Sequence, residues 1–283
     1  MRSTPPIADA ALPAALAAGL DDAPSADATQ LAAMLARSFG PSTVAIIHYG
    51  SHAQRSDARR ESAFDYFVIV DRYRDAYESL ARTVGTSYSP RSATWLNHVL
   101  PPNVIAVTDR TAAPPLAAKC AVLSLEDLQR ACSSQARDHF VQGRLFQYVQ
   151  LAWTRDAKAR AAVERAIVGA RTRSFSWGRP SLPPAFDAET YFRVLLERSF
   201  AAEIRPERGG RVDALVGAQH DIVIRVYDAL LQRLAEESLL GTDGNVYHLA
   251  SPVRFFERVR TNWYFRSSKV RATARWLKYI VLY

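Results

Sequence analysis

Residues 43–73 read TVAIIHYGSHAQRSDARRESAFDYFVIVDRY, and the reading of this stretch decides the fold. Residues 43–49 are β-branched and apolar and stop at Gly50-Ser51. A polar, Arg-rich connection then leads to a second apolar run, 64–70, with Asp65 near its start and Asp71 just past its end. Apolar runs of this length bounded by turn residues predict two adjacent β-strands.

Such a pair has a use in phosphoryl transfer. A Gly-Ser turn lets backbone approach a triphosphate and offers N–H and hydroxyl donors, while a carboxylate on the next strand holds magnesium against the same phosphates. Gly50-Ser51 followed by Asp65 is the nucleotidyltransferase pattern, with Ala63 where the first of two alternating carboxylates usually stands. The plainer alternative is a hairpin with a glycine turn and an incidental acid. Asp71 is a second candidate ligand, but on a straight strand it lies about 20 Å from Asp65, which favours a structural role. His48 reads as a strand histidine outside the site.

Outward from this stretch, residues 30–39 have helical spacing and end at Gly40-Pro41, and residues 73–84 form an amphipathic helix. A short helix to Leu100 is broken by Pro101-Pro102, and strands are expected at 103–107 and 119–123. Ser124 reads as the N-cap of a helix with Asp127 three residues on. Helical period returns from Asp156 through Ala170, a helix capped by Asp187 runs to Arg198, residues 199–204 suit a strand, and 212–240 are helical in period. The expected fold class is therefore α+β, α/β-like in its first domain.

The expected division is a loose, Ala/Pro/Asp-rich arm at 1–28, a nucleotidyltransferase domain at 29–173, a helical, winged-helix-like domain at 174–250 opened by a Gly/Pro/Ser-rich link, and a basic aromatic segment at 251–283. That last segment sets eight Arg or Lys against Glu257, with Trp263, Tyr264, Phe265, Trp276, Tyr279 and Tyr283 interleaved. The mixture suits an anionic lipid interface and a nucleic-acid backbone, and a basic helix with its aromatics turned inward is the plainer alternative.

The chain has 283 residues, 48% of them hydrophobic and 23% charged, as in a folded soluble protein. A net charge of +8 points to an anionic partner. Apolar runs fall short of the ~18 residues a spanning helix needs, and Asp9, Asp21 and Asp22 interrupt any leader-like stretch. Cys120 and Cys132 lack metal-ligand spacing and read as core residues in a reducing compartment.

Beyond the Gly-Ser turn, the chain resembles the mitochondrial-type phosphatidate cytidylyltransferases, the translocator assembly and maintenance family of CDP-diacylglycerol synthases. Tyr49-Gly50-Ser51, Phe64-Asp65-Tyr66-Phe67 with Val70-Asp71, and Tyr88-Ser89 are similar to that family's motifs in order. Leu100-Pro101-Pro102-Asn103, Lys119-Cys120-Ala121-Val122, Gly143-Arg144-Leu145, Ser199-Phe200 to Arg205, and Arg211-Val212-Asp213 continue the series. The resemblance runs from about residue 45 to 280 and departs from the family at His52, Pro101 and Ala202.

What the resemblance implies is transfer of CMP from CTP to phosphatidate, with Mg2+ as cofactor and pyrophosphate as leaving group, by a cytoplasmic protein peripheral on the inner face of a membrane. Asp65 would hold the metal, and Ser51 and Lys119 would act beside it. Tyr49, Gly50, Tyr88, Ser89 and Arg144 would contact the substrates. An anionic membrane surface met by the C-terminal segment, rather than nucleic acid, is then the expected partner. Transfer to another acceptor, and a catalytically silent lipid or nucleic-acid binder on the same fold, are the alternatives.

Overall fold

The computed structural model describes residues 11–54, 62–85, 89–203 and 210–282. A short helix α1 (Ala11–Leu16) precedes α2 (Ala26–Phe39), whose first turn is closed by the Ser25 hydroxyl accepting the Ala28 N–H at 3.3 Å. Strand β1 (Thr43–Tyr49), a single helical turn α3 (Ser51–Gln54) and strand β2 (Phe64–Val70) follow. Helices α4 (Tyr73–Thr83) and α5 (Pro90–Val99) lead to β3 (Asn103–Asp109) and β4 (Leu116–Ser124). Then come α6 (Leu125–Ala131), capped by Ser124, α7 (Gln142–Leu145) and β5 (Gln150–Thr154).

These five strands form one mixed sheet in the order β3-β4-β2-β1-β5. Strands β2 and β4 are parallel and the other neighbours antiparallel. A parallel pair needs a long crossover, which α4, α5 and β3 supply. One face, with Ile46, Tyr66, Val68 and Val122, packs on Leu31 and Leu35 of α2 and Tyr77 and Leu80 of α4. The other, with Ile47, Phe67, Ile69 and Leu123, packs on Leu128 of α6 and on Val163 and Ile167 of the next helix. Burial of both faces explains why β1 and β2 read as continuous apolar runs.

That next helix, α8 (Ala157–Gly178), begins at Asp156, whose carboxylate caps the Ala159 N–H at 2.7 Å. Beyond it lie α9 (Ala188–Ala201), α10 (Arg211–Ala218), α11 (His220–Val223), a π-helical turn (Ile224–Asp228), α12 (Ala229–Glu236), and a hairpin of β6 (Leu240–Asp243) and β7 (Val246–Leu249). The chain ends in α13 (Phe255–Leu282).

Four sequence expectations are corrected. The boundary at 173/174 falls inside α8, because its first half packs on the sheet while Phe175 and Trp177 enter the core of the helical unit with Tyr191, Phe192 and Leu231. The segment 199–204 is not a strand as far as it is described: Ser199 and Ala201 lie in α9, whose buried Tyr191, Leu195 and Ser199 follow helical spacing. Strand β5, unforeseen in the polar setting of residues 138–153, pairs with the free edge of β1.

The fourth concerns residues 11–28 of the expected loose arm, which are packed. Leu16 and Leu20 are buried, and α1 lies against α8 and α12. Arg171, wholly buried on α8, donates to the carbonyls of Leu16 (2.6 Å), Ala18 (2.8 Å) and Gln147 (3.1 Å), which stitches the N-terminal segment to the molecule. Burial pulls its guanidinium below the ordinary value for arginine. Its partners are main-chain oxygens that no other described side chain replaces, so Arg171→Met leaves buried acceptors unsatisfied. Urea denaturation should show a loss of about 3 kcal/mol or more, and limited proteolysis should open the segment before residue 25.

Candidate functional site

Strand register puts the site together. Tyr49 pairs with Asp65 across β1 and β2, Asp65 with Lys119 across β2 and β4, and Lys119 with Ala106 across β4 and β3. Residues directly opposite one another share a face of the sheet, so these four form a row along one end of the face that packs on α8. Gly50, at φ +80°, turns the chain out of β1 immediately beside this row. A Cβ at Gly50 would lie 2.7 Å from Oδ2 of Asp65. Both the left-handed conformation and the close carboxylate require glycine there.

Ser51, half-buried, opens α3 directly after this turn. Its neighbour His52 stacks on Phe64 with ring centroids 4.0 Å apart and places Nε2 2.9 Å from the Ser62 carbonyl oxygen. Arg144, on α7, donates to the Phe140 carbonyl at 2.8 Å and to Glu203 at 3.2 Å, and shares a hydrogen bond with the Tyr49 phenol. Its guanidinium carbon sits 4.0 Å from the centre of the Phe140 ring. Burial opposes its charge, but Glu203, Tyr49 and Asp65 outweigh burial and hold the guanidinium above its ordinary value. Burial, with Asp65 beside it, likewise pushes the Tyr49 phenol up.

The Asp65 carboxyl is raised above the usual carboxylate range, because burial outweighs the opposing fields of Lys119, Arg144, His52 and Arg211. One carboxylate within the fields of Lys119, Arg144 and Arg211, from three separate elements, is a local excess of positive charge, suited to a polyphosphate. Among the described residues no group of three His, Cys, Asp or Glu could hold a metal ion unaided. Asp65 alone still fits magnesium, which commonly takes one or two protein carboxylates and completes its shell with phosphate oxygens and water.

Beside the row lies a cavity of about 670 Å³. Val104, Ala106, Ala118, Phe140 and Trp276 give it an apolar body, and Lys119, Arg144, Arg275 and Lys278 give it charge. Neither Asp65 nor Ser51 lines it, so the carboxylate and the cavity are neighbouring compartments that meet at Lys119 and Arg144. Helix α13 forms one wall. Arg275 donates to the Pro101 carbonyl at 2.9 Å and pairs with Asp138 at 2.5 Å, and Lys278 donates to the carbonyls of Leu100 and Pro102. Burial pulls the Lys278 ammonium down to about 7. Deeper, His139 places Nε2 2.6 Å from the Ser199 hydroxyl, and burial pushes its imidazole down to about 3.

Of the residues singled out in the sequence, Tyr49, Gly50, Ser51, Asp65, Lys119 and Arg144 come together. Ser89 does not join them: it is exposed before α5, a helix packed on the opposite face of the sheet, and is absent from the cavity wall. Tyr88 lies outside the described residues. Asp71 pairs with Arg155 at 2.5 Å, and its N–H binds the Ser42 carbonyl at 2.8 Å, as a structural residue would. His48 is buried, bonded to Gln150 at 2.9 Å and pushed down to about 4 by burial. Arg144 pairs with Glu203, while Asp138 pairs with Arg275. Sequence reasoning missed Glu203, Arg275, Lys278 and the field of Arg211, since each reaches the site from a distant helix and no spacing announces it.

Comparison with protein-family models and with curated proteins returns no match.

The raised Asp65 carboxyl has a consequence for stability. A carboxyl whose folded-state value exceeds its unfolded value of 3.8 contributes stability below that pH and loses it as pH rises through the folded-state value. At neutral pH the ionised side chain is therefore a net cost. Thermal unfolding should show Asp65→Asn more stable than wild type at about pH 7, with the gap closing in acid as the wild-type carboxyl protonates.

Proposed function

We propose that the chain is a magnesium-dependent nucleotidyltransferase that makes CDP-diacylglycerol from CTP and phosphatidate. The observation that carries this reading is the contact of the Gly50 turn with the Asp65 carboxylate, set beside an apolar cavity with cations at its rim. The ordered sequence motifs supply the choice of CTP and phosphatidate. On this reading the sheet is the core of a nucleotidyltransferase fold, and α9 to α12 with the β6–β7 hairpin are its winged-helix-like companion.

The triphosphate lies over the Gly50-Ser51 turn, where the absent Cβ lets the Asp65 carboxylate come close to the turn and the Ser51 hydroxyl offers a donor. Asp65 would hold magnesium, which when bound would neutralise the charge that builds on the departing pyrophosphate. The acceptor is a phosphate monoester whose second pKa is about 6, so it arrives as a nucleophile without a strong base. One of its oxygens forms a bond to the α-phosphorus while the bond from that phosphorus to the bridging oxygen breaks, and pyrophosphate leaves with both electrons. Lys119 and Arg144, where the two compartments meet, neutralise acceptor and transferred group, and the apolar body of the cavity takes part of the diacyl moiety.

Purified protein with magnesium, labelled CTP and phosphatidate in micelles should make labelled lipid and pyrophosphate, and make much less from ATP, GTP or UTP. Asp65→Asn should lower kcat/KM by several kcal/mol of transition-state stabilisation; a loss within tenfold, about 1.4 kcal/mol, removes Asp65 from the reaction. Pyrophosphate release without lipid product would point to another acceptor, and no release at all to a silent binder.

No helix among the described residues is long and apolar enough to cross a membrane. We place the protein peripherally, on the cytoplasmic, inner face, through α13. Its inner face, with Thr261, Ser268, Arg275 and Lys278, is buried, whereas Phe256, Trp263, Val270 and Leu277 are 80%, 73%, 69% and 53% exposed. These four recur every seventh residue and form one stripe flanked by Arg260, Arg266 and Arg271, the pattern of a helix lying in an anionic interface. Trp263→Ser with Val270→Ser should cut co-sedimentation with anionic vesicles by about tenfold and leave thermal stability unchanged; undiminished binding would place the lipid surface elsewhere.

A further inference from the structure

A second cavity, of about 650 Å³, lies some distance along the chain from the first, between the last turns of α8 and the first turns of α13. Phe175 and Ser176 form its floor, Leu239 and Phe256 its apolar rim, and Arg179, Arg254 and Arg260 its charge, against the single carboxylate of Glu257.

That carboxylate is already engaged. Glu257 Oε2 accepts the Arg179 guanidinium at 2.5 Å and the Arg254 N–H at 2.9 Å. Arg179 is further bonded to the Ser251 carbonyl at 2.9 Å and hydroxyl at 3.0 Å, and its side chain is 13% exposed, so it is a fixed strut. The side chains of Arg254 and Arg260 form no ion pair with a described carboxylate. A further guanidinium, Arg173 one turn before Ser176, feels Arg260 closely enough that its charge adds to burial in pulling Arg173 below its ordinary value. The pocket thus gathers Arg254 and Arg260 in a concave site whose one carboxylate is committed to Arg179, with Arg173 adding positive charge close by. A multivalent anion neutralises that charge, and guanidinium forks match the oxygens of phosphate. The rim adds a second clue: Leu239 and Phe256 are 47% and 80% exposed, and Phe256 also begins the apolar stripe of α13, so an anion here would lie at the edge of an apolar surface.

We propose that this pocket is a phosphate-binding site, separate from the Asp65 compartment, in which Arg254 and Arg260 clasp a phosphate monoester carried by a lipid headgroup or free in solution. The site stands whether or not the chain transfers nucleotides, because its test reads binding alone. The full-length protein is titrated calorimetrically with inorganic phosphate and, separately, sedimented with phosphatidylcholine vesicles containing phosphatidate. The paired variant Arg254→Ser/Arg260→Ser is compared with Arg258→Ser/Lys269→Ser, which removes equal charge from exposed positions of α13 outside the pocket. Ser176→Glu, which sets a carboxylate in the pocket without touching either arginine, guards against a trivial loss of folding. The pocket pair and Ser176→Glu should each weaken binding about tenfold or more relative to the control pair. Loss in both arms identifies phosphate itself as the ligand, and loss with vesicles alone identifies the headgroup. Equal weakening by pocket and control pairs in both arms, or no weakening in either, overturns the proposal.

Discussion

The structure depends on one close approach: the Asp65 carboxylate occupies the space where any side chain at residue 50 would begin. That contact ties the end of β1 to the start of β2 and aims a partly buried acid at the turn most open to a phosphate. It also fixes which residues can join it, because β2 lies between β1 and β4, and register then brings Tyr49 on one side and Lys119 on the other. A slip of one residue in either pairing would send these side chains to the face packed on α2. Such a slip would also turn the Asp65 carboxylate into the apolar core against α2, and the cost of burying it there opposes the slip. Packing thus sets the geometry of the site.

Two long helices do more than cover the sheet. Helix α8 serves both cores, the sheet through Val163 and Ile167 and the helical unit through Phe175 and Trp177, and its buried Arg171 holds the N-terminal segment by main-chain oxygens alone. Helix α13 separates two environments. Inward, Arg275 and Lys278 pin it to the Leu100-Pro101-Pro102 loop and close a cavity, while outward it carries an apolar stripe between basic flanks. A lipid surface on the outer side and an amphiphile in the cavity would therefore meet the same helix. At Asp65 two effects oppose each other: burial disfavours ionisation of the carboxyl, while the nearby Lys119 and Arg144 favour it.

Much of the local structure was legible in the chain. Strands 43–49 and 64–70 stand out because both faces of the sheet are buried and so both sets of side chains are apolar. Ser124, Asp156 and Asp187 mark helix starts because a short polar side chain before an apolar periodic run has one good use, to accept the first free N–H groups. Gly50 and Asp65 could be named because the turn and the strands on either side of it lie within one segment, whereas Lys119, on β4 beyond a long crossover, was named on the resemblance. The basic character of the last thirty residues follows from composition alone.

What only the tertiary structure decided is which distant residues share space. The Gly/Pro/Ser-rich stretch near 174 looked like a linker, but buried Phe175 and Trp177 repay helix continuation through it. Residues 11–28 looked loose because Ala and Asp carry little apolar signal, yet two of their carbonyls, Leu16 and Ala18, are satisfied by Arg171, bonds between positions some 155 apart that no periodicity encodes. Glu203 just past α9, Arg211 on α10, and Arg275 and Lys278 on α13 reach the candidate site from distant parts of the chain, and Arg254 and Arg260 gather about Arg179 for the same reason. A sequence records the period of each element, whereas convergence of charge depends on how elements cross, which is settled by the packing of cores far from the charges themselves.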